Sequence, residues 1–235
     1  MENKIAILLA AGQGMRMRPL TETIPKPLVT VKGIPLIETI IEGLQEQDVR
    51  EIFVVTGYLK EQFGYLSEKY RNLRLVENRE YLCKNNISSL YAVRDVLGSA
   101  DCFICEADLY ISDRDVFRQA EACGSSCYLG KMVIGYSDDW VFETESGRII
   151  RIKKGGVGLY NMAGISYWKK KDALYLRQAM EQIYQEEGHG TLFWDEVADR
   201  ELENMYVSVC EITPGSVIEV DTLEELSQLE ELGCM

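Results

Sequence analysis

Gly12 and Gly14 stand two positions apart in the run Ala10-Ala11-Gly12-Gln13-Gly14, with Arg16 and Arg18 just beyond and Lys26 further on between Pro25 and Pro27. This set suits an anion. Glycines let the backbone bend and approach a ligand with no Cβ in the way, and successive N–H groups in such a loop form an anion-binding concavity. The two prolines stiffen the backbone around Lys26, so its ammonium loses less freedom on meeting a phosphate. A glycine pair after a strand also makes an ordinary tight turn, and a basic run also makes a solvated surface segment. Glycines and cations together favour phosphate as the guest.

Two acids close apolar runs. Asp108 follows Phe103-Ile104-Cys105-Glu106-Ala107, and Asp221 follows Val217-Ile218-Glu219-Val220. A carboxylate at a strand's carboxyl end beside bound phosphate suits Mg²⁺, a small hard ion that takes one or two carboxylates plus phosphate oxygens and water. One carboxylate makes a thin site, and Asp221 is the candidate partner. Asp221 is equally placed to cap a final helix, Leu223 to Leu232. Asn85, Asn86 and Ser89 offer amides and a hydroxyl that can read the edge of a base, although Asn86 or Ser88 would also serve as a cap for a helix from Ser88 to Leu97. His189, the one histidine, lies between Gly188 and Gly190 and reads as a loop residue.

The elements that must position these residues alternate. Lys4 to Leu9 reads as a buried strand emptying into the glycine loop, and Leu28 to Val31 as a short strand. A helix starts at Pro35, with Leu36, Ile37, Ile40, Ile41 and Leu44 on one face. A strand from Ile52 to Thr56, a helix through Phe63, Leu66 and Tyr70, and strands at Leu73 to Val76 and Asp101 to Ala107 follow. Such alternation argues a parallel, Rossmann-like sheet, in which ligands bind beyond the carboxyl ends of the strands. Three stretches should then converge: Ala10 to Arg16, Thr56 to Tyr58 with Gly57 at its centre, and the residues around Glu106, Ala107 and Asp108. After Ser126 the spacing predicts four strands, Tyr128–Ile134, Val141–Glu145, Arg148–Ile152 and Leu159–Trp168, then helices at Asp172 to Glu186 and Phe193 to Leu202.

The chain has 235 residues, 46% of them hydrophobic, enough for a sizeable core as one domain. Its net charge of −13 argues against a nucleic-acid partner, which needs a basic face. Cys102 and Cys105 form a CxxC, but within a strand they point to opposite faces and cannot chelate together. Reduced thiols, no apolar stretch long enough to span a bilayer and no secretory cleavage pattern predict a cytoplasmic protein without a membrane partner.

Leu8 to Leu28, LLAAGQGMRMRPLTETIPKPL, resembles the signature of the nucleoside-triphosphate transferase superfamily, and every defining position is filled. The later elements Asn85-Asn86-x-x-Ser89-Leu90, Asp108, Asp138-Asp139-Trp140, Phe193-Trp194-Asp195 and Ile218-Glu219-Val220-Asp221 are similar to bacterial CTP:phosphocholine cytidylyltransferases. The resemblance implies an α/β fold of the GT-A, Rossmann-like type, a three-layer sandwich around a mixed, mostly parallel sheet. It implies a single domain over 1–235, with a nucleotide-binding half at 1–125 and an acceptor-binding half at 126–235. It assigns the nucleotide to Leu9, Ala10, Ala11, Gly12, Gly14, Arg16, Lys26, Gly57, Asn85, Asn86, Ser89, Glu106 and Ala107, and favours Asp221 as a Mg²⁺ ligand beside Asp108.

The implied reaction is attack of phosphocholine on the α-phosphorus of CTP, giving CDP-choline and pyrophosphate, with Arg16, Lys26, Asp108 and Asp221 carrying catalysis. A trimethylammonium group donates no hydrogen bond and is held by ring faces and carboxylates. Trp140, Phe193 and Trp194 are its expected walls, and Asp195, Glu196 and Glu219 its counter-charges, though aromatics at a helix start are also often core. The resemblance extends to a choline kinase, fused or cooperating; a homodimer is a further expectation, although the sequence does not reveal the oligomeric state. Two alternatives stay open. One is a superfamily enzyme acting on a sugar-1-phosphate, phosphoethanolamine or an aminophosphonate; the other is a nucleotide-sensing or scaffolding domain that releases no pyrophosphate.

Overall fold

The computed structural model describes residues 3–231. In chain order the strands are β1 (Lys4–Ala10), β2 (Thr30–Val31), β3 (Ile34–Pro35), β4 (Glu51–Thr56), β5 (Leu73–Glu77), β6 (Asp101–Glu106), β7 (Leu109–Ile111), β8 (Ser126–Glu145), β9 (Arg148–Trp168), β10 (Val207–Glu211) and β11 (Val217–Glu219). The helices are α1 (Leu36–Gln45), α2 (Gly64–Lys69), α3 (Ile87–Ala92), α4 (Asp115–Ala122), α5 (Lys170–Ile183), α6 (Trp194–Glu201) and α7 (Leu223–Glu231).

Seven strands form one mixed sheet in the order β10-β8-β9-β6-β1-β4-β5. The segment β6-β1-β4-β5 is parallel throughout, β9 runs antiparallel to β6 and β8, and β10 pairs parallel with β8. Strand β1 shows why the sheet is central. Its alternate residues Ala6, Leu8 and Ala10 enter one core with α1, α2 and α4, while Ile5, Ile7 and Leu9 enter the other with α3, α5 and α6. A strand buried on both faces reads as a continuous apolar run. The same alternation sends Cys105 to the first core and Cys102 to the second, so the CxxC is split as its spacing requires.

Several boundaries differ from the sequence reading. The strand expected from Leu28 shrinks to Thr30–Val31, because Pro25 and Pro27 hold Lys26–Leu28 in a tight 3-10 turn. The helix expected over Phe63 and Tyr70 opens as a 3-10 turn, Lys60–Phe63, before α2. The helix expected to reach Leu97 stops at Ala92, since β-branched Val93 leaves helical angles at φ −113°. The four strands expected after Ser126 run together into β8 and β9, a long ribbon whose register shifts absorb the polar stretch around Asp138 and the glycines near Gly156. Helix α7 is described to Glu231; Leu232 and the residues after it lie outside the described residues.

A third apolar cluster joins the two ends of the described chain: Met17, Val29, Val31 and Leu36 pack against Val220 and Leu229. No helix among the described residues is long and apolar enough to cross a membrane.

Candidate active site

The chain leaves β1 at Ala10 and reaches Gly14 in a left-handed conformation, φ +59°. A Cβ there would lie 2.9 Å from the Lys26 Cβ and 3.1 Å from the Thr21 Cγ2, so only glycine lets the loop close on its neighbours. The Thr21 hydroxyl donates to the Gly14 carbonyl at 2.7 Å and completes the lock. Gly12 is different. A Cβ there would meet nothing within 4 Å, so the protein leaves that space open.

The loop walls a cavity of about 300 Å³ lined by Leu9, Ala10, Ala11, Gly12, Gly14, Arg16, Lys26, Asn86, Ser89, Glu106, Asp108 and Asp221, together with Met15 and Pro27. Three residues expected with them lie outside its lining. Gly57 is a packing glycine, where a Cβ would come within 2.8 Å of the Tyr81 ring and 3.0 Å of Ala11. Asn85 turns away, its amide donating to the Thr191 carbonyl at 2.6 Å. Ala107 is buried, and its N–H donates to the Leu9 carbonyl at 3.3 Å, next to the cavity. Asn86 stands at the N-cap position of α3, but its side chain makes no capping hydrogen bond. Its amide donates to Glu106 at 3.2 Å and its carbonyl oxygen accepts from the Trp194 N–H at 3.0 Å, tying α3 to α6. Asn78, which the sequence reading passed over, orients the same helix by donating to Ser88 at 2.9 Å and Ser89 at 3.1 Å.

Asp108 and Asp221 meet. Strand β11 pairs antiparallel with β7, placing Glu219 opposite Leu109, and the Val220 N–H donates to the Asp108 carbonyl at 3.2 Å. The Lys26 ammonium, its side chain 8% exposed, lies 2.6 Å from Asp108 Oδ2 and 2.6 Å from Asp221 Oδ1; Arg16 also reaches Asp221 at 2.6 Å. Asp221 is free for this because Thr222 caps α7 in a reciprocal arrangement of hydroxyl and carboxylate. The Glu225 N–H donates to the Thr222 hydroxyl oxygen at 3.2 Å, and the Glu225 carboxylate accepts from the Thr222 N–H at 2.8 Å.

Glu219, expected at the choline, completes a trio whose carboxylate oxygens with Asp108 and Asp221 all lie within 4.8 Å of one another. Burial opposes the Lys26 charge, but Asp108 and then Asp221 outweigh it and raise its pKa above the ordinary lysine value. Glu219 is recessed in the cleft though solvent reaches its side chain. That recess, then Asp108 and Asp221, push it up to about 7 against the pull of Lys26 and Arg16. Burial, followed by Asp108 and Asp195, holds Glu106 well above the usual carboxylate range. Three hard oxygen donors this close, two of them already gathered around a cation, fit a divalent ion of the Mg²⁺ kind.

A second cavity, about 410 Å³, shares Arg16, Asn86, Glu106, Asp108 and Asp221 with the first, so the two are contiguous. Asp138, Asp139, Trp140 and Lys154 from the β8–β9 ribbon, Phe193 and Asp195 from the start of α6, and Glu219 wall its far side. Trp140 and Phe193 meet edge to face at 5.5 Å. Trp194 lies in the core, 3% exposed, 5.8 Å from the Tyr128 ring and 6.2 Å from the Trp168 ring, with its indole N–H toward Glu106 at 3.5 Å. Glu196 accepts from the Phe193 N–H at 2.8 Å and faces an outer groove behind Trp140. Asp195 is buried and accepts from the Tyr128 hydroxyl at 3.0 Å; burial pushes it up to about 7, with that hydroxyl opposing. His189 lines neither cavity and packs on Tyr184 at 4.4 Å. Asp138 and Asp139 enter the sequence reading only as the motif beside Trp140, with no site role assigned to them, and Lys154 carries no signal of its own.

The fold and the contiguous cavities define a nucleotidyltransferase. Residues 6–134 match the MobA-like NTP transferase domain, and the chain belongs to that family. Its relatives place it among cytidylyltransferases. It is 47% identical over 230 residues to the 2-aminoethylphosphonate cytidylyltransferase of Lancefieldella rimae, covering 97% of this chain and 93% of that one. It is 34% identical to the choline-phosphate cytidylyltransferase of Streptococcus pneumoniae, covering 97% of each. A solved structure of the CTP:phosphocholine cytidylyltransferase from Streptococcus pneumoniae superposes with a TM-score of 0.87 at 32% identity, over 98% of this chain and 99% of that one.

Proposed function

We propose that this enzyme transfers CMP from CTP to a small amine-bearing phosphonate of the 2-aminoethylphosphonate kind, releasing pyrophosphate. The carrying observation is the make-up of the second cavity, where the carboxylates of Asp138, Asp139 and Glu219, with the buried Asp195 behind them, outnumber the two aromatic residues that reach it. A primary ammonium donates three hydrogen bonds and finds acceptors there. A trimethylammonium group donates no hydrogen bond to those carboxylates and relies more on ring faces, of which Trp194 is spent in the core. The 47% identity to a 2-aminoethylphosphonate enzyme along nearly the whole of both chains supports the same acceptor.

In this reading the N–H groups of the Gly12 to Gly14 loop and Arg16 hold the β- and γ-phosphates, and Asn86 and Ser89 meet the base. Lys26 passes from its carboxylates to the α-phosphate and the incoming oxyanion. Asp108 and Asp221, with Glu219 beside them, would hold Mg²⁺, which would supply neutralisation of charge on the phosphates. The acceptor oxygen is already ionised at neutral pH, so in-line attack needs positioning and charge neutralisation, not a base or a covalent enzyme intermediate.

Phosphocholine is the second reading, favoured by the Trp140–Phe193 corner and the Streptococcus pneumoniae relatives. Pyrophosphate release from CTP or UTP with 2-aminoethylphosphonate, phosphocholine, phosphoethanolamine and a sugar-1-phosphate separates them. The expected order places CTP with 2-aminoethylphosphonate first in kcat/KM. A higher value for phosphocholine makes that the acceptor.

A further inference from the structure

We propose that Lys154 selects the acceptor: its ammonium fills the corner between Trp140 and Phe193, disfavouring quaternary ammonium head groups and leaving primary amines to the carboxylates. The inference rests on the reading of the second cavity as the acceptor site. Lys154 is the direct cross-strand partner of Trp140 in the β8–β9 ribbon, so backbone pairing, not chance rotation, brings the two side chains together. Its Nζ lies 5.5 Å from the Trp140 ring centre and 5.7 Å from that of Phe193. Both separations are within the range of a cation–π contact.

The rings are what holds it. Among the described residues the Lys154 ammonium makes no side-chain hydrogen bond or ion pair, whereas that of its neighbour Lys153 is bonded to Glu143. A trimethylammonium group would draw its binding from these same ring faces, so lysine and ligand compete for one volume. A primary amine binds through N–H donors and has no need to evict Lys154. The lysine also lines the outer groove, about 790 Å³, which gives its side chain somewhere to withdraw. Selection is therefore a competition with a finite penalty, not a steric bar.

The test compares kcat/KM for phosphocholine and 2-aminoethylphosphonate, with CTP, in the wild type and in Lys154→Met, Lys154→Arg and Trp140→Ala. Methionine keeps the stem and removes the charge, so the ratio of phosphocholine to 2-aminoethylphosphonate should rise about tenfold. Arginine keeps a cation over the rings and should retain the wild-type ratio. An unchanged ratio in Lys154→Met, with Trp140→Ala still weakening an acceptor, overturns the role of Lys154 and leaves the acceptor site standing. An equal fall for both acceptors in Lys154→Met also overturns it, because Lys154 then grips the phosphorus oxyanion they share. If Trp140→Ala changes neither acceptor, the second cavity is not the acceptor site and the proposal goes with it.

Discussion

The two cavities sit side by side and are built in opposite ways. The first is formed by backbone at the end of β1 and by cations locked in tight turns; its neighbours leave Gly14 no alternative residue and fasten Lys26 between two carboxylates. The second is formed by side chains from a bulged ribbon, a helix start and β11. A rigid backbone pocket suits what every reaction of the family shares, a nucleotide's phosphates, and side-chain walls suit what varies, the acceptor. Catalytic power should therefore concentrate in the first cavity and selectivity in the second.

The largest effect expected is at Lys26. Lys26→Ala should lower pyrophosphate release about 100- to 1,000-fold, the loss typical of removing a group that stabilises transition-state charge. Near-normal turnover would take Lys26 out of the chemistry and erase the contrast between the cavities. Next comes Asp221→Asn, expected to cost at least about tenfold in turnover and to weaken Mg²⁺-dependent CTP binding in a thermal-shift titration. Its companion Thr222→Ala should do the reverse, costing about 1 kcal/mol of stability through the lost cap while turnover persists. Equal turnover losses in both would mean that the order of α7, not the carboxylate, is what matters.

In the second cavity Trp140→Ala should raise the acceptor's KM about tenfold and leave the KM for CTP alone. A matching rise for CTP would show that the cavities do not divide the work. The smallest effect concerns pH. Asp195 is raised to about 7 in the folded chain, against ~3.9 unfolded, so its contribution to stability is complete below about pH 4 and is lost as pH rises through 7. Asp195→Asn, which can still accept from Tyr128, should flatten the fall in melting temperature over that window. An identical pH profile would mean that the carboxyl is not protonated in the fold.

Legibility followed the same divide. The glycine loop, the strand behind it and the alternation up to β6 were readable because each depends on contacts between residues close in sequence. Gly57 looked like a ligand glycine but is a packing one, since what excludes its Cβ is Tyr81, a residue from another loop. Type and neighbourhood place Trp194 and Glu219 at the acceptor; Glu219 does wall the second cavity and also meets Asp108 and Asp221, whereas Trp194 lies in the core. Whether a ring faces a cavity or a core depends on a partner such as Trp168, which local patterning does not record. Lys154 gave no signal because a lysine in a strand is ordinary until its cross-strand partner is known to be Trp140.

By itself the sequence determined the class of molecule: a parallel α/β half that ends its first strand in an anion-binding loop, with Arg16 and Lys26 close behind. Only tertiary structure decided that Asp108, Glu219 and Asp221 share one point. That meeting comes from the pairing of β11 with β7 and from a small apolar cluster joining the N-terminal loop to α7. The physical reason is range. Backbone conformation and burial period are written into neighbouring residues, whereas the convergence of charges far apart in the chain is set by whichever apolar surfaces find each other as the chain folds.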